Sequence, residues 1–207
     1  MLRGALKGLV IVLLAVVVLV AAGFALSRWA PIWWGDPAAV ALDTNAQERA
    51  RDLEQALAAA VHKIRPDGEP WGMRIRDSDF NDWLITRLPE WSAHDGALAL
   101  PIEGAVAQVH FEAGQIVLGL KVDGRVWSGA FGVEVEPESI RIEPGSAAVG
   151  RMPLPVGAEL VAKLLRGEAA SALRVPRKFA LADGRTVEVR RVVLTDGAIE
   201  IELATLR

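Results

Sequence analysis

The residues best suited to chemistry form one short acidic motif, Asp77-Ser78-Asp79-Phe80-Asn81. Its D-x-D-x-N spacing is that of a calcium-binding loop, in which carboxylate and amide oxygens coordinate the ion. The motif then departs from that pattern, because the sixth position, which favours glycine, is Asp82, and the twelfth, which needs a bidentate glutamate, is Leu88. The sequence therefore predicts no metal site, and a helix capped by Asp77 or Ser78 explains these acids.

The remaining nucleophiles and bases form no catalytic set. Ser128 lies in Val126-Trp127-Ser128-Gly129-Ala130, which lacks the first glycine of a nucleophile elbow. His62, His94 and His110 fall on a predicted helix, a loop and a strand, with no metal-ligand spacing between any two. Cysteine is absent, which excludes disulfides and thiolate chemistry. We therefore expect neither enzyme activity nor a cofactor.

Positive charge is concentrated in the last third of the chain, at Arg174, Arg177, Lys178, Arg185, Arg190 and Arg191. Neighbouring strands would bring such residues together into a local site for an anion or a lipid headgroup. Salt bridges on exposed strand faces are the alternative, and we favour them because acidic residues are as frequent.

A long apolar segment near the N-terminus determines where these residues are placed in the cell. Residues 8–27 carry no charge, and thirteen of these twenty residues are Leu, Val, Ile or Phe. A helix of this length rises about 30 Å, the thickness of the bilayer's hydrocarbon. Arg3 and Lys7 precede it, so the positive-inside rule places the N-terminus in the cytoplasm. The sequence predicts a single-pass transmembrane anchor over residues 1–28.

A cleaved secretory signal is the alternative interpretation of this segment. Signals share the basic start, but their apolar region is shorter, about 7 to 15 residues. Small residues in Val20-Ala21-Ala22 and Gly23-Phe24-Ala25 leave cleavage open. Trp29, Trp33 and Trp34 follow, where an interfacial aromatic belt would lie. Either way, the domain is expected on the extracytoplasmic side of the plasma (inner) membrane.

The exported part of the chain is acidic. Residues 1–28 hold three basic residues and no acid, so 20 of the 23 Lys and Arg remain against 26 Asp and Glu, about −6 in net charge. Phosphate recognition depends on basic side chains, so this balance argues against a nucleic-acid partner. After a juxtamembrane linker at 29–43, residues 44–207 are sufficient for one domain with its own core.

Two helices and a short strand are predicted at the start of this domain. Thr44-x-x-Gln47 is typical of a capping box, and apolar residues then recur every three or four positions up to Ile64. Residues 71–75 alternate between apolar and polar, which indicates a strand. The helix capped by Asp77 or Ser78 follows and ends before Pro89.

From about residue 97 the apolar period changes from 3.6 to 2, which is typical of an antiparallel meander. Turn signals separate candidate strands at 105–112, 115–122, 125–135, 139–143, 147–152, 175–181, 185–194 and 198–204. A third helix is predicted at 156–173. The alternation slips at Arg190-Arg191, which indicates a bulge or bend. The predicted fold is α+β, an N-terminal transmembrane helix followed by a curved antiparallel β-sheet packed against two or three helices.

Three segments together resemble a known group of proteins. They are Ile75-Arg76-Asp77-Ser78-Asp79-Phe80-Asn81-Asp82-Trp83-Leu84, Arg151-Met152-Pro153-Leu154-Pro155, and Val192-Val193-Leu194-Thr195-Asp196-Gly197-Ala198-Ile199-Glu200-Ile201. The set resembles small membrane-anchored bacterial proteins of the YpmS kind and extracytoplasmic members of the tubular lipid-binding (TULIP-like) group, over roughly residues 70 to 204. This resemblance implies a strongly curved sheet that wraps a long helix, with a seam that holds acyl chains.

The sequence thus predicts an anchored protein that binds or hands on a lipid or another apolar component of the cell envelope. Each buried methylene contributes about 0.8 kcal/mol, so acyl chains would bind without a catalytic group. The residues expected to contact lipid are Ile116, Leu118, Leu120, Leu160, Leu164, Ile199, Ile201 and Leu203. The alternative is an anchored scaffold that binds another envelope protein through an exposed sheet edge, without lipid, and an enzyme is the third hypothesis. The expected partners are therefore the bilayer with lipid or a second envelope protein.

Overall fold

The computed structural model of the chain describes residues 18–94, 105–157 and 173–206, and these form five helices and ten strands. The helices are α1 over residues 18–28, α2 Pro37–Leu42, α3 Thr44–His62, α4 Asp77–Thr86 and α5 Leu88–His94. The strands are β1 Pro70–Arg76, β2 Val106–Glu112, β3 Gln115–Val122, β4 Arg125–Val135, β5 Ser139–Val149, β6 Met152–Gly157, β7 Leu173–Pro176, β8 Lys178–Ala180, β9 Thr186–Thr195 and β10 Ala198–Leu206. The fold class is α+β, as predicted.

The strands form two antiparallel sheets, where the alternation pattern predicted one. The four-stranded sheet has the order β1-β10-β9-β8. The six-stranded sheet has the order β2-β3-β4-β5-β6, and β7 also pairs with β5. The division arises because β1 pairs with the last strand, with Arg76 opposite Ala198. Periodicity along the chain does not reveal pairing between such distant segments, so the sequence could not separate the sheets.

Most of the predicted turns are confirmed. Ala113-Gly114 and Asp123-Gly124 join β2 to β3 and β3 to β4, and Asp196-Gly197 joins β9 to β10. Pro144-Gly145 was predicted as a turn, but it lies inside β5, because β5 has an extra residue opposite Ala130 and continues past the proline as a bulged strand. Two predicted strands are therefore one.

The bulge predicted near Arg190 is confirmed in the four-stranded sheet. Glu202 lies opposite Arg191, whereas its neighbour Leu203 lies opposite Val189. Arg190 is therefore the extra residue in β9. A bulge of this kind increases the local twist of the strand pair.

The helices differ from the predictions mainly at their ends. The N-cap of α3 is Asp43, whose side chain accepts a hydrogen bond from the backbone N–H of Asn45. The N-cap of α4 is Arg76, which makes no side-chain capping bond. The prediction of Asp77 or Ser78 as its cap was wrong, because β1 runs directly into the helix and places Asp77 in the first turn. An acid in that position still interacts favourably with the helix dipole.

Two predicted helices fall partly outside the described residues. The predicted helix at 156–173 was wrong at both ends, since β6 extends to Gly157 and β7 begins at Leu173. Residues 158–172, with Leu160 and Leu164, lie outside the described residues. The predicted anchor is described only from residue 18, and none of the helices in the described ranges is long and apolar enough to cross a bilayer.

Two hydrophobic clusters stabilise the arrangement. The first lies on the four-stranded sheet, where Trp71, Val187, Val189 and Leu203 pack with Ala60 and Val61 at the end of α3. The second lies between the two sheets and α4, where Val109, Phe111 and Leu194 pack with Phe80, Leu84, Ile116, Leu118, Val133 and Ile199. The second cluster fixes α4 between the sheets, and with it the residues described next.

Candidate functional site

The end of α1 is joined directly to the six-stranded sheet. The backbone N–H of Arg151, in the turn between β5 and β6, donates to the carbonyl oxygen of Leu26 at 2.9 Å. Gly150 has φ +58°, and a Cβ there would lie 2.6 Å from the carbonyl oxygens of Ser27 and Trp29. Only glycine combines this left-handed conformation with so close an approach. The apolar helix is therefore part of the domain's structure and no loose tether joins them.

The segment after α1 covers one face of the same sheet. The rings of Trp33 and Trp34 lie over Gly119, where a Cβ would be 2.6 Å and 2.7 Å from them. The amide of Gln108 accepts from the N–H of Gly35 at 3.0 Å and donates to its carbonyl at 3.1 Å. Two of the three tryptophans expected in an interfacial belt therefore pack on the domain.

The outer edge of β2 is covered. The side chain of Asn81 on α4 donates to the carbonyl oxygen of Val109 at 2.8 Å and accepts from its N–H at 2.7 Å. Further along, the N–H of Gly197 in the β9–β10 turn donates to the carbonyl of Phe111 at 2.9 Å. These contacts satisfy backbone groups that an edge strand otherwise leaves unpaired.

The outer edge of β1 is open over the described part of the chain, in which no strand pairs with it on that side. Asp77 follows β1 and donates its N–H to Gly197 at 3.0 Å, in the same register that places Arg74 opposite Glu200. Hydrogen-bonded and non-hydrogen-bonded pairs alternate in an antiparallel ladder. Gly72, Arg74 and Arg76 are therefore at the non-hydrogen-bonded positions, and their backbone N–H and C=O groups point away from β10.

A groove of about 630 Å³ lies beside this open edge. Its lining residues are Pro70, Trp71, Gly72, Met73, Arg74, Arg191, Val193, Glu200, Ile201 and Glu202. Gly72 contributes no side chain, so one strand position that lines the groove is empty. Arg74 and Glu200 form an ion pair at 3.4 Å across β1 and β10. The groove thus combines exposed strand backbone with an apolar floor and side chains of both charges.

A second cavity, a polar cleft of about 480 Å³, lies between the linker, α3 and α4. Asp82, 5% exposed, accepts from Nε of Arg49 at 2.7 Å, and this hydrogen bond raises the pKa of Arg49 above its ordinary value. Asp77 and Nδ1 of His110 are 2.8 Å apart, and Trp33 stacks on the imidazole at 5.7 Å between ring centroids. The cleft connects the linker to both helices and to β2.

The acidic motif that resembled a calcium loop is used in these contacts. Asp77 binds His110, Asp79 accepts from Arg76 at 3.0 Å, and Asn81 covers the edge of β2. Within the ranges that the structure describes, no group of three His, Cys, Asp or Glu side chains could hold a metal ion. The sequence did not predict the role of Asn81, because its partner Val109 on β2 comes 28 residues later in the chain.

Most of the basic residues of the last third pair with acids, the interpretation favoured from the sequence. Glu188, which is buried, is contacted by Arg177 at 3.0 Å, Arg190 at 3.2 Å and Lys178 at 3.6 Å. Arg174 contacts Glu136 at 3.5 Å. Arg185 donates to Asp183 at 2.8 Å, and this hydrogen bond lowers the pKa of that exposed carboxyl group. Arg191 instead lines the groove.

The structure describes six of the eight residues expected to contact lipid. Ile116, Leu118 and Ile199 pack in the second cluster, and Ile201 and Leu203 in the first. Leu120 is 1% exposed. Leu160 and Leu164 lie outside the described residues. Of the six, Ile201 also lines the groove beside β1. Lipid contact at the eight positions stays a prediction.

Comparison with known families, with curated proteins and with solved structures gives no match for this chain. The resemblance to YpmS-like and TULIP-like proteins stays a prediction. The function of the chain is therefore inferred from the geometry of the described residues.

Proposed function

We propose that this chain is a membrane-anchored extracytoplasmic protein that binds an extended segment of another envelope protein along β1. The observation that carries the proposal is the open edge of β1 with a groove beside it. Gly72 and Arg74 offer backbone donors and acceptors to a new strand, and Arg76 adds its N–H, since its carbonyl begins α4. Backbone pairing supplies affinity in this mode of binding, and pockets for alternate side chains supply specificity.

The lining of the groove defines which segment fits. The empty position at Gly72 leaves room beside β1 for a large apolar side chain of the partner strand. The groove has no net charge, because its two basic residues, Arg74 and Arg191, are matched by two acidic ones, Glu200 and Glu202. The partner segment is therefore an uncharged or mixed-charge strand with a large apolar residue.

The anchor proposed for this protein is a single pass through the plasma membrane, with the N-terminus in the cytoplasm. Its support is the uncharged run at residues 8–27 and the union of α1 with the β5–β6 turn. That union holds the domain next to the bilayer, where other envelope proteins are within reach. No catalytic step is proposed.

The experiment compares Arg74→Pro with Arg74→Ala in the full-length chain. Both substitutions remove the ion pair with Glu200, but only proline removes the N–H that faces the open edge. A photo-crosslinking residue at position 74 first identifies the partner, with position 190 on the same sheet as the control site. We expect the partner to bind the alanine variant and to lose at least tenfold affinity for the proline variant. Equal binding by the two variants would refute pairing along β1.

A second candidate function is the binding or transfer of a lipid in the same groove. It is supported by the volume of about 630 Å³, within the range of about 300 to 1,000 Å³ for small-molecule sites, and by a lining that joins apolar residues to both signs of charge. Zwitterionic lipids carry the matching groups. Native mass spectrometry of the full-length chain should then show one retained lipid that Val193→Lys removes and Arg74→Pro does not, whereas lipid held around α1 is unaffected by either.

A further inference from the structure

Exposed apolar side chains are concentrated at one end of the molecule. Six of the ten large apolar residues that the structure shows exposed lie between residues 18 and 32. Val18, Leu19 and Val20 belong to the predicted anchor ahead of its contact with the sheet. The other three, Phe24, Trp29 and Ile32, are 53%, 58% and 89% exposed, although they lie where the chain already contacts the sheet. Such a patch on a protein with paired sheets and filled clusters indicates a surface that is covered in use.

Cations surround this patch. The guanidinium groups of Arg28 and Arg125 lie 5.3 Å and 5.8 Å from the ring of Phe24. The guanidinium of Arg151 lies 5.7 Å from the ring of Trp29. These three residues come from α1, from the start of β4 and from the β5–β6 turn, so the fold assembles them from separate parts of the sequence.

A fourth cation completes the set around a small hollow. The hollow measures about 290 Å³, and its lining includes Arg28, Lys121 and Gly124 together with Trp34 and Asp36. Asp123, exposed in the β3–β4 turn, is the other acid that the described residues place in this region. Among the described residues, four basic side chains against two acids give this surface a positive balance, whereas the exported part as a whole carries about −6.

We infer that this end of the six-stranded sheet docks on an anionic membrane surface, with Arg28, Lys121, Arg125 and Arg151 binding lipid phosphates and Trp29 and Ile32 lying among the headgroups. The inference rests on the proposed anchoring, because α1 brings these residues to the bilayer at the end of the apolar run. Aromatic residues prefer the headgroup level, and basic residues near a membrane are attracted to anionic lipids. The position of the patch at the end of the uncharged run of residues 8–27 selects the membrane over a protein partner for this surface.

The test uses the full-length chain in nanodiscs of phosphatidylcholine, with or without 30% phosphatidylglycerol. The chain has no cysteine, so Asp123→Cys takes a single environment-sensitive fluorophore. Ala113→Cys is the matched control, because it occupies the turn at the other end of β3, about 24 Å away for an eight-residue strand. A nitroxide attached to lipid headgroups reports contact by quenching.

We expect the label at position 123 to be quenched at least threefold more in discs with phosphatidylglycerol than without it, and the label at 113 to be unchanged. Lys121→Glu combined with Arg125→Glu should abolish the difference. Lys63→Glu combined with Lys178→Glu, which changes the charge equally at exposed positions beside the other sheet, should preserve it. Equal quenching of position 123 in both discs, from a chain that is inserted, would overturn the inference and leave the anchoring intact. Failure of the chain to insert would overturn both.

Discussion

One outer strand of each sheet, β2 in one and β1 in the other, has its edge in an opposite state. The edge of β2 is covered by the side chain of Asn81 and by the β9–β10 turn, whereas no strand among the described residues pairs with the outer edge of β1. Unpaired edges promote unwanted association, and proteins generally protect them. The comparison shows that this fold can cover a strand edge with a side chain and a turn. We propose that a partner strand adds at β1, where no described strand pairs with the outer edge.

The largest expected effect comes from opening the covered edge. Asn81→Ala leaves the N–H and C=O of Val109 unpaired, so the free energy of unfolding should fall by about 2 to 6 kcal/mol, at about 1 to 3 kcal/mol for each buried unsatisfied group. Urea denaturation of the full-length protein in nanodiscs measures this. The matched variant Asn81→Asp keeps the acceptor for the Val109 N–H and should lose less. A change below about 0.5 kcal/mol for alanine would show that the edge is not held by this side chain.

A smaller effect is expected where the two edges meet. Asp77 follows β1 as the first residue of α4 and binds His110 of β2, so removal of either residue should weaken the link between the sheets. His110→Phe preserves stacking on Trp33 and removes the hydrogen bond. In a double-mutant cycle with Asp77→Ala, the two losses of unfolding free energy should be non-additive by about 1 kcal/mol. Strict additivity would mean that the pair does not couple the sheets.

We expect the open edge of β1 to tolerate proline, the residue that disrupts a paired strand most. Arg74→Pro and Arg74→Ala should both cost less than about 1 kcal/mol of stability, since the exposed ion pair with Glu200 contributes little and the N–H has no ladder partner. Thermal unfolding of the two variants compares them directly. If proline lowers stability by about 3 kcal/mol more than alanine, the N–H of Arg74 is hydrogen-bonded and β1 is not an open edge.

The smallest effect concerns the far side of the four-stranded sheet, in the turn between β8 and β9. Arg185 lowers the pKa of Asp183 by hydrogen bonding, so the stability that Asp183 contributes is present above its unfolded pKa and is lost as the pH falls through its folded pKa. The midpoint of thermal unfolding should be slightly higher for the natural chain than for Asp183→Asn near neutral pH. The difference should vanish in acid, and a difference that grows in acid would contradict the assignment.

The parts of the fold that could be predicted from the sequence are those that depend on neighbouring residues. The turn at Asp196-Gly197 and the bulge at Arg190 both follow from local backbone preferences and from a shift in alternation. The same reasoning went wrong at Pro144, because a bulge can absorb a proline that would otherwise end a strand. Local signals identify an interruption but do not distinguish a bend from a turn.

The candidate sites could not be predicted in this way, since they depend on contacts between distant segments. The cover over β2 joins Asn81 to Val109, and the open edge exists because β1 pairs with β10 and with no other described strand. The cationic surface joins Arg28 to Arg125 and Arg151 through the packing of α1 on two turns. Composition showed an acidic domain and gave no indication of this basic region.

The close contact at Gly150 has a mechanical consequence. Because the carbonyl oxygens of Ser27 and Trp29 lie against that turn, α1 cannot swivel independently of the six-stranded sheet. Any tilt of α1 must turn the six-stranded sheet by the same angle, and any rotation about the helix axis must change the direction in which β1 faces. The orientation of α1 in its surroundings therefore determines which neighbouring molecules the open edge of β1 can face.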